Sequence, residues 1–251
     1  MKKINQLPLL LSACALLAFS ACKKDKDKDP QPDSPATPYT CAACVSSPEA
    51  KAENDGSSRG IYKGILIAST GTIKFNVGND GSSITAIMVI DGTSVTLSSS
   101  ITWEQGEAYV APFTGTLDGD EVSITFSVQA DGSNPVVTSS SIPGHPNAVF
   151  TLAKETSNAL IEGFEGTYSL SDGKKGTFNI LLSRALGKWG GVARENGTTD
   201  DDDISGTIQG GSKLIDSDNG TQVGTLSGDE ISGSFQDSDG KTVTVSGKRT
   251  L

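Results

Sequence analysis

Gly71-Thr72-Ile73-Lys74-Phe75-Asn76-Val77 places apolar side chains at every second position, and a related stretch recurs at Gly176-Thr177-Phe178-Asn179-Ile180-Leu181-Leu182. Such alternation is typical of a β-strand with one face in a core and the other face polar. The same pattern returns at 122–128 and 243–245. The sequence therefore predicts an all-β protein.

Glycine-containing dipeptides separate the predicted strands. Nine Asp-Gly or Asn-Gly pairs occur between Asp55-Gly56 and Asp239-Gly240. They are the strongest short signal for a β-hairpin, because a type I′ turn needs positive φ at both central residues. Outside a turn at 157–161 no segment has a helical period, which disfavours α/β cofactor folds. We expect antiparallel meanders.

The chain also repeats itself. Tyr62-Lys63-Gly64 and Phe164-Glu165-Gly166 open the two copies, and a later motif at 115–122 returns at 224–231. The offset between the copies drifts from 102 to 109 residues, as small insertions would make it. We predict two tandem, related units, with chance similarity among Gly-rich strands as the alternative.

The predicted units span 60–155 and 162–251. Each has room for seven or eight short strands, which suits a small up-and-down barrel or a compact sandwich. Their Gly-x-Tyr and Phe-x-Gly starts and their hairpin spacing resemble calycin-type barrels, the lipocalin and avidin group, which implies small closed barrels. A fused two-lobed sheet remains open. A single membrane-spanning barrel is disfavoured, because it would need aromatic girdles and aromatic residues make up only 6% of the chain.

The amino terminus has the features of an export signal. Lys2 and Lys3 precede an apolar run, Leu7–Ala21, that is too short to span a bilayer comfortably. The run ends in Phe19-Ser20-Ala21-Cys22, which resembles the cleavage box of bacterial lipoproteins. The resemblance implies a signal peptide at 1–21 and an acylated Cys22 that holds the protein on a lipid bilayer.

Three alternatives stay open at this terminus. Leu11-Ser12-Ala13-Cys14 also fits the lipoprotein pattern, although cleavage there would leave Ala15–Ala21 as an exposed apolar tail. The others are an ordinary secretory signal cut after Ala21 and a retained membrane anchor.

Residues 22–58 are predicted to form a disordered tether. Lys and Asp alternate directly after Cys22, and four prolines follow between Pro30 and Pro38. Such a segment has too little apolar surface to form a core, and Pro-rich chains are extended and semi-rigid. The charged residues resemble the signals that place some lipoproteins on the outer face of the outer membrane. We therefore expect a lipoprotein of the outer membrane, exposed at the cell surface if these charges act as such a signal and not only as a solvated linker. The alternative is a periplasm-facing or secreted protein.

Within the predicted tether lies the pair Cys41-Ala42-Ala43-Cys44. A zinc site needs further ligands, and the predicted β units contain no cysteine and only His145 as histidine. A thioredoxin-like redox pair would need a βαβ setting. The pattern therefore favours a local disulfide between Cys41 and Cys44, or a pair that bridges to another molecule.

Groups for catalysis are scarce. His145 lies in a loop flanked by Pro and Gly, where a structural role is commoner than a general base. No nucleophile elbow, zinc-protease helix or phosphate-binding loop occurs. The carboxylate pairs Asp120/Glu121 and Asp229/Glu230 are adjacent strand residues, which point to opposite faces. We predict a protein that is not an enzyme and that needs no cofactor.

The charge of the chain narrows its partners. The formal charge is −10, and loss of Lys2 and Lys3 with the signal would make it −12. Binding to nucleic acid depends on clustered Lys and Arg, so we expect no nucleic-acid partner.

Two sets of residues are candidates for a binding site. Weak calcium candidates are Asp200, Asp202, Asp216 and Asp218, since calcium prefers carboxylate and carbonyl oxygens in flexible loops, although none of these segments fits an EF-hand. Candidate stacking platforms for a ligand are the aromatic side chains of Trp103, Tyr109, Phe113 and Trp189. The alternatives are solvated turns for the first set and core packing for the second.

Together these observations predict a membrane-anchored, non-catalytic binding module for a glycan or a protein. The alternative is a structural or assembly lipoprotein that meets its partner through an edge strand or a surface patch. An enzyme of unfamiliar type is the third hypothesis.

Overall fold

The computed structural model of the chain describes residues 37–67, 70–81 and 83–251. The predicted signal peptide at 1–21, Cys14 and Cys22 lie outside these residues. Sixteen strands form two antiparallel sheets of eight, and within the described ranges the only helical element is a 3₁₀ turn at Ala52–Asn54. The prediction of two tandem, all-β antiparallel units is confirmed.

The first unit contains β1 (Gly60–Ile67), β2 (Gly71–Val77), β3 (Thr85–Ile90), β4 (Thr93–Ser98), β5 (Tyr109–Leu117), β6 (Asp120–Val128), β7 (Val136–Ser141) and β8 (Val149–Glu155). The second unit contains β9 (Glu162–Leu170), β10 (Lys175–Ser183), β11 (Lys188–Glu195), β12 (Asp201–Gln209), β13 (Lys213–Asp216), β14 (Gln222–Ser227), β15 (Glu230–Gln236) and β16 (Thr242–Arg249).

None of the described residues belongs to a helix with the length and apolar character needed to cross a membrane.

The second unit is a closed barrel. Its strands neighbour one another in chain order, and β16 pairs with β9 from Val243↔Leu170 to Arg249↔Phe164. Closure leaves the sheet without an edge, and alternate residues of every strand face the interior. We call this unit the second barrel.

The first unit is a nearly closed barrel. Strands β1 to β7 neighbour one another in chain order and β8 pairs with the other edge of β1, but among the described residues β7 pairs only with β6. A seam is therefore left between β7 and β8, and Val136 and Val149, the first residues of these strands, are exposed. We call this unit the first barrel.

The two copies of the repeat do not match strand for strand. The motif at 115–122 spans the turn between the fifth and sixth strands of the first barrel, whereas its copy at 224–231 joins the sixth and seventh strands of the second. The second barrel has the extra short strand β13 before the motif, and the first has an extra strand after it. The insertion of β13 lies between the earlier and later motifs of the repeat, where the offset between the two copies increases.

The hairpin prediction holds in full at two turns. Asp91-Gly92 joins β3 to β4, Asp118-Gly119 joins β5 to β6, and all four residues have positive φ, as a type I′ turn requires.

A small buried interface joins the barrels. Ile65 of β1, Leu181 of β10 and Ile161 of the linker form an apolar cluster on the outer faces of the two sheets. Beside it the Asn179 side-chain amide donates to the backbone carbonyl of Leu66. The two barrels therefore share a packed contact.

A buried ion pair reinforces this junction. Lys63 Nζ lies 2.6 Å from a carboxylate oxygen of Glu155, and both side chains are at most 1% exposed. Glu155 also accepts the backbone N–H groups of Glu49 at 2.6 Å and Ile161 at 3.1 Å. One carboxylate thus binds β1, the linker and the amino-terminal segment.

Residues 38–59, which we call the strap, are packed against both barrels, whereas the sequence predicts a disordered tether up to residue 58. Asp55 accepts the backbone N–H and hydroxyl of Ser157, and Asn54 Nδ2 donates to the carbonyl of Asn79 at 2.9 Å. Polar contacts with the linker and with the loop after β2, rather than apolar burial, hold this segment. Composition alone does not reveal them.

Candidate functional site

A cavity of about 500 Å³ opens into the second barrel. This volume lies within the range of small-ligand sites. Much of its wall is apolar and includes Phe178, Ile180, Leu214, Ile231, Phe235 and Val245.

Aromatic rings lie along the wall of the cavity. Three interior rings each cover a glycine of the neighbouring strand, and a Cβ added at any of these glycines would come within 2.7 Å of the ring. The pairs are Tyr168 with Gly176, Phe178 with Gly166, and Trp189 with Gly206. A ring that covers a wall glycine does not project across the barrel, so the centre stays open.

Trp189 carries an unused hydrogen-bond donor. Its side chain lines the cavity and the residue is 7% exposed. Within the described ranges, its Nε1 is the only buried side-chain nitrogen or oxygen that lacks a hydrogen-bond partner. Leaving such a donor unpaired costs about 1–3 kcal/mol. The Nε1 atom lies against Gly206 of the barrel wall, where the open cavity does not reach it.

The mouth of the cavity is acidic. Because the strands alternate in direction, the turns that follow β9, β11, β13 and β15 all lie at this end of the barrel. Seven carboxylates and two lysines contribute to the lining: Glu195, Asp202, Asp203, Asp216, Asp218, Asp237, Asp239, Lys174 and Lys241.

Both lysines at the mouth are already engaged by carboxylates. Lys174 Nζ lies 2.9 Å from Glu195, and Lys241 Nζ lies 3.0 Å from Asp172. These hydrogen bonds raise the pKa of each lysine. Burial, and then the nearby carboxylates, raise the pKa of the Tyr168 hydroxyl in the wall. The mouth therefore keeps an excess of negative charge.

The opposite end of the barrel is plugged by charged side chains. Glu162 lies 2.9 Å from Arg184 Nε and 3.3 Å from Arg249 Nη1. The strap covers these groups, because Cys41 N–H donates to Asp229 at 2.8 Å and Arg249 Nη2 donates to the Val45 carbonyl at 2.6 Å. We call this the closed end.

The structure contains a disulfide between Cys41 and Cys44, whose Cα atoms are 5.3 Å apart. The disulfide loop is thus the part of the strap that lies over the closed end. Nearby, the Tyr39 hydroxyl donates to the Arg249 carbonyl at 2.9 Å.

The first barrel is filled where the second is hollow. The ring centroids of Phe75 and Phe126 are 4.5 Å apart, and those of Phe75 and Phe113 are 5.0 Å apart. Tyr62 also packs on Phe126, at 5.0 Å. All four rings are fully buried.

The four predicted stacking residues therefore have different surroundings. Phe113 and Tyr109 are buried in the first barrel, where they cannot stack on a surface ligand. Trp103 is half-buried, donates to Ser58 Oγ at 2.7 Å and packs under the Arg59 guanidinium at 4.9 Å, so it helps the strap to cap the first barrel. Only Trp189 of the four lines the cavity.

The calcium candidates are partly brought together. Asp202, Asp216 and Asp218 all line the mouth, and Asp200 lies in the turn before β12. In the part of the chain that the structure describes, no three His, Cys, Asp or Glu side chains converge so as to hold a metal ion. The carboxylates are instead spread around the rim.

A second, polar groove of about 670 Å³ lies between the barrels. It is lined by the His145 loop and by outward-facing residues of the second barrel such as Glu165 and Arg194. Arg194 is engaged by Asp201 at 2.5 Å, and burial raises the pKa of Glu165. The polar side chains that line this groove distinguish it from the largely apolar cavity of the second barrel.

Sequence reasoning missed most of the cavity. Tyr168 and Glu195 were not among its candidates, and neither was Gly206. The signal that could have found the mouth is the order of the turns: in an up-and-down barrel every second turn meets at one end, and the Asp-rich turns of the second barrel are alternate ones.

No protein-family model matches the chain, and neither the curated proteins nor the solved structures compared with it gave a match.

Proposed function

We propose that the protein is a lipid-anchored envelope protein whose second barrel binds a small, largely apolar ligand without converting it. The observation that carries this proposal is the cavity of about 500 Å³ with its largely apolar wall. An apolar cavity of this kind suits neither an extended glycan nor a protein surface, so a small molecule replaces them as the expected ligand.

Binding is favoured over catalysis by the placement of the polar groups. The carboxylates lie in turns around the mouth, and the interior beneath them is mostly apolar. Such a site can hold a molecule by its apolar surface, and the polar groups of the mouth can orient it.

Anchoring is supported by the lipoprotein-like box at Cys22 and by the route of the strap. The strap reaches the second barrel at its closed end, through Tyr39 and Cys41. An anchor on the amino-terminal side would therefore join the described chain at the end of the second barrel away from the mouth.

Uptake of an uncharged, environment-sensitive fluorophore, N-phenyl-1-naphthylamine, tests the binding function. The full chain carrying Cys22→Ser is used, so that no detergent competes for the cavity. We expect saturable uptake, with affinity reduced at least about tenfold by Ala193→Phe, because a ring at this inward-facing position fills the space.

Thr207→Phe is the matched control, since Thr207 is an exposed residue on the outer face of the same barrel. Melting curves establish that both variants are folded. Unchanged uptake by Ala193→Phe would contradict a site inside the barrel.

Anchoring is tested separately by membrane fractionation. We expect Cys22→Ser to release the protein from membranes and to abolish labelling by a fatty-acid analogue, while Cys14→Ser leaves both unchanged. Intact protein free in the medium with an unmodified amino terminus would refute the anchor.

A second candidate function rests on the seam of the first barrel. Because β7 has no partner on its outer side among the described residues, it could accept a strand from an assembly partner. A photo-crosslinking residue at Ser140 should then give a discrete adduct in cells, and the same residue at Thr207 should not. The absence of an adduct at Ser140 would argue against this role.

A further inference from the structure

We infer that the ligand of the second barrel carries a cationic, ammonium-type head, which lies at the acidic mouth while its apolar body fills the cavity. This inference rests on the proposed binding function and names the chemical class of the ligand.

The first step is the charge of the mouth. Seven of the residues that line the cavity are acidic. The two lysines of the lining are already bound to the carboxylates of Glu195 and Asp172. Asp202 and Asp216 face inwards, since Asp202 pairs with Ala193 and Asp216 pairs with Gly206 across the interior face. An anionic head would meet uncompensated negative charge at this point.

The second step is independent of charge. Below the rim the wall of the cavity is largely apolar, with Phe178, Leu214 and Trp189 among its lining residues. A largely apolar wall around about 500 Å³ suits the apolar body of a small ligand. The acidic rim therefore lies at the opening of a cavity that fits such a body.

The third step separates an organic cation from a metal ion. A divalent cation needs several oxygens at about 2.0–2.6 Å. Among the residues that the structure describes, no three acidic side chains converge in this way. Carboxylates spread around an opening suit a bulky, diffuse cation with an apolar tail.

Three octyl compounds that differ only in their heads test the inference. Octyltrimethylammonium, octyl sulfate and octyl glucoside displace N-phenyl-1-naphthylamine from the full chain carrying Cys22→Ser at low ionic strength. We expect the ammonium to bind at least about tenfold more tightly than the sulfate, with the glucoside between them. Added salt should reduce the preference for the ammonium, because it screens the rim.

The double variant Asp202→Asn/Asp216→Asn should lower affinity for the ammonium about fivefold or more and leave the glucoside unchanged, since only head-group attraction is lost. The control is Asp120→Asn/Glu121→Gln, which removes two exposed carboxylates from a hairpin of the first barrel. It should change neither affinity.

Equal affinity for the three compounds, or a preference for the sulfate, with the fluorophore still bound, would overturn the cationic head alone. Failure of the fluorophore and of all three compounds to bind would overturn the binding function and this inference with it. An ammonium preference that the double variant leaves undiminished would also overturn it, because the rim would not be its source.

Discussion

The two barrels differ in where they place their aromatic rings. In the first barrel, Phe75, Phe113 and Phe126 meet at the centre and pack on one another. In the second, rings such as Phe178 and Trp189 lie over glycines of the wall. Both sheets have eight strands, and the hollow barrel is the one whose interior rings lie over wall glycines.

The barrels also differ in whether their sheet closes on itself, and here the hollow barrel is the complete one. The hollow barrel is sealed by β16 and β9, whereas the filled barrel has a seam between β7 and β8. A core of packed rings can hold an incomplete sheet together. A barrel with an open centre has fewer central contacts and depends more on a continuous hydrogen-bonded wall.

The largest test of this contrast compares Phe126 and Phe235, which occupy corresponding places in the repeat. Phe126→Ala should lower the free energy of unfolding by about 3–5 kcal/mol, because it opens a cavity in a filled core. Phe235→Ala should cost only about 1–2 kcal/mol, since this half-buried ring already borders open space. Denaturant unfolding measures the change in free energy for both variants. Equal changes would contradict the difference between a filled and a hollow barrel.

The next test concerns how each barrel holds the strap. Lys63→Met leaves Glu155 buried without its ion-pair partner, so it should lower the free energy of unfolding by about 3 kcal/mol. This value is at the lower end for a broken buried ion pair, because two backbone N–H groups still bind the carboxylate. Arg249→Met should cost less, because Glu162 keeps Arg184. Both variants are measured in the same unfolding experiment. A larger loss of unfolding free energy for Arg249→Met than for Lys63→Met would contradict this prediction.

A smaller effect is expected from the glycines of the hollow wall. Gly206→Ala should cost about 1–3 kcal/mol, because the added Cβ would lie 1.9 Å from the Ile215 carbonyl oxygen and 2.7 Å from the Trp189 ring. Gly224→Ala is the control, where the nearest atom is a methyl group of Ile231 at 3.3 Å. Similar melting temperatures for the two variants would show that the covered glycine is not needed.

The smallest effect concerns pH. Burial raises the pKa of Glu165 above its ordinary value of 4.5. The folded protein therefore holds this proton more tightly than the unfolded chain, and the resulting stability is lost as pH rises through the raised pKa. Glu165→Gln removes this dependence, so the variant should melt slightly higher than the wild type at pH 7, with the difference vanishing at pH 4. A constant difference across this range would contradict the assignment.

The strands were predictable because their signal is local. Alternation at 71–77 and the Asp-Gly turns fix which face of each strand is buried, and no distant residue is needed to recognise them. The repeat likewise predicted two units, although it could not reveal that β13 is inserted before the second copy of the later motif.

The cavity and the strap were not predictable in the same way. Trp189 looks like any core aromatic until its neighbour across the strand is known to be Gly206. The strap is held by single contacts across long stretches of sequence, such as Cys41 with Asp229. Pairings of this kind depend on how the strands are aligned with one another, and this register cannot be read from a single sequence.

The chain contains only two tryptophans, and each barrel holds one of them. Trp103 is hydrogen-bonded beneath an arginine, whereas Trp189 lies in the wall of the cavity with its N–H unused. Their ultraviolet emission should therefore report on two separate environments within one molecule. With one indole replaced by phenylalanine at a time, the remaining one becomes a built-in optical sensor of its own half of the protein.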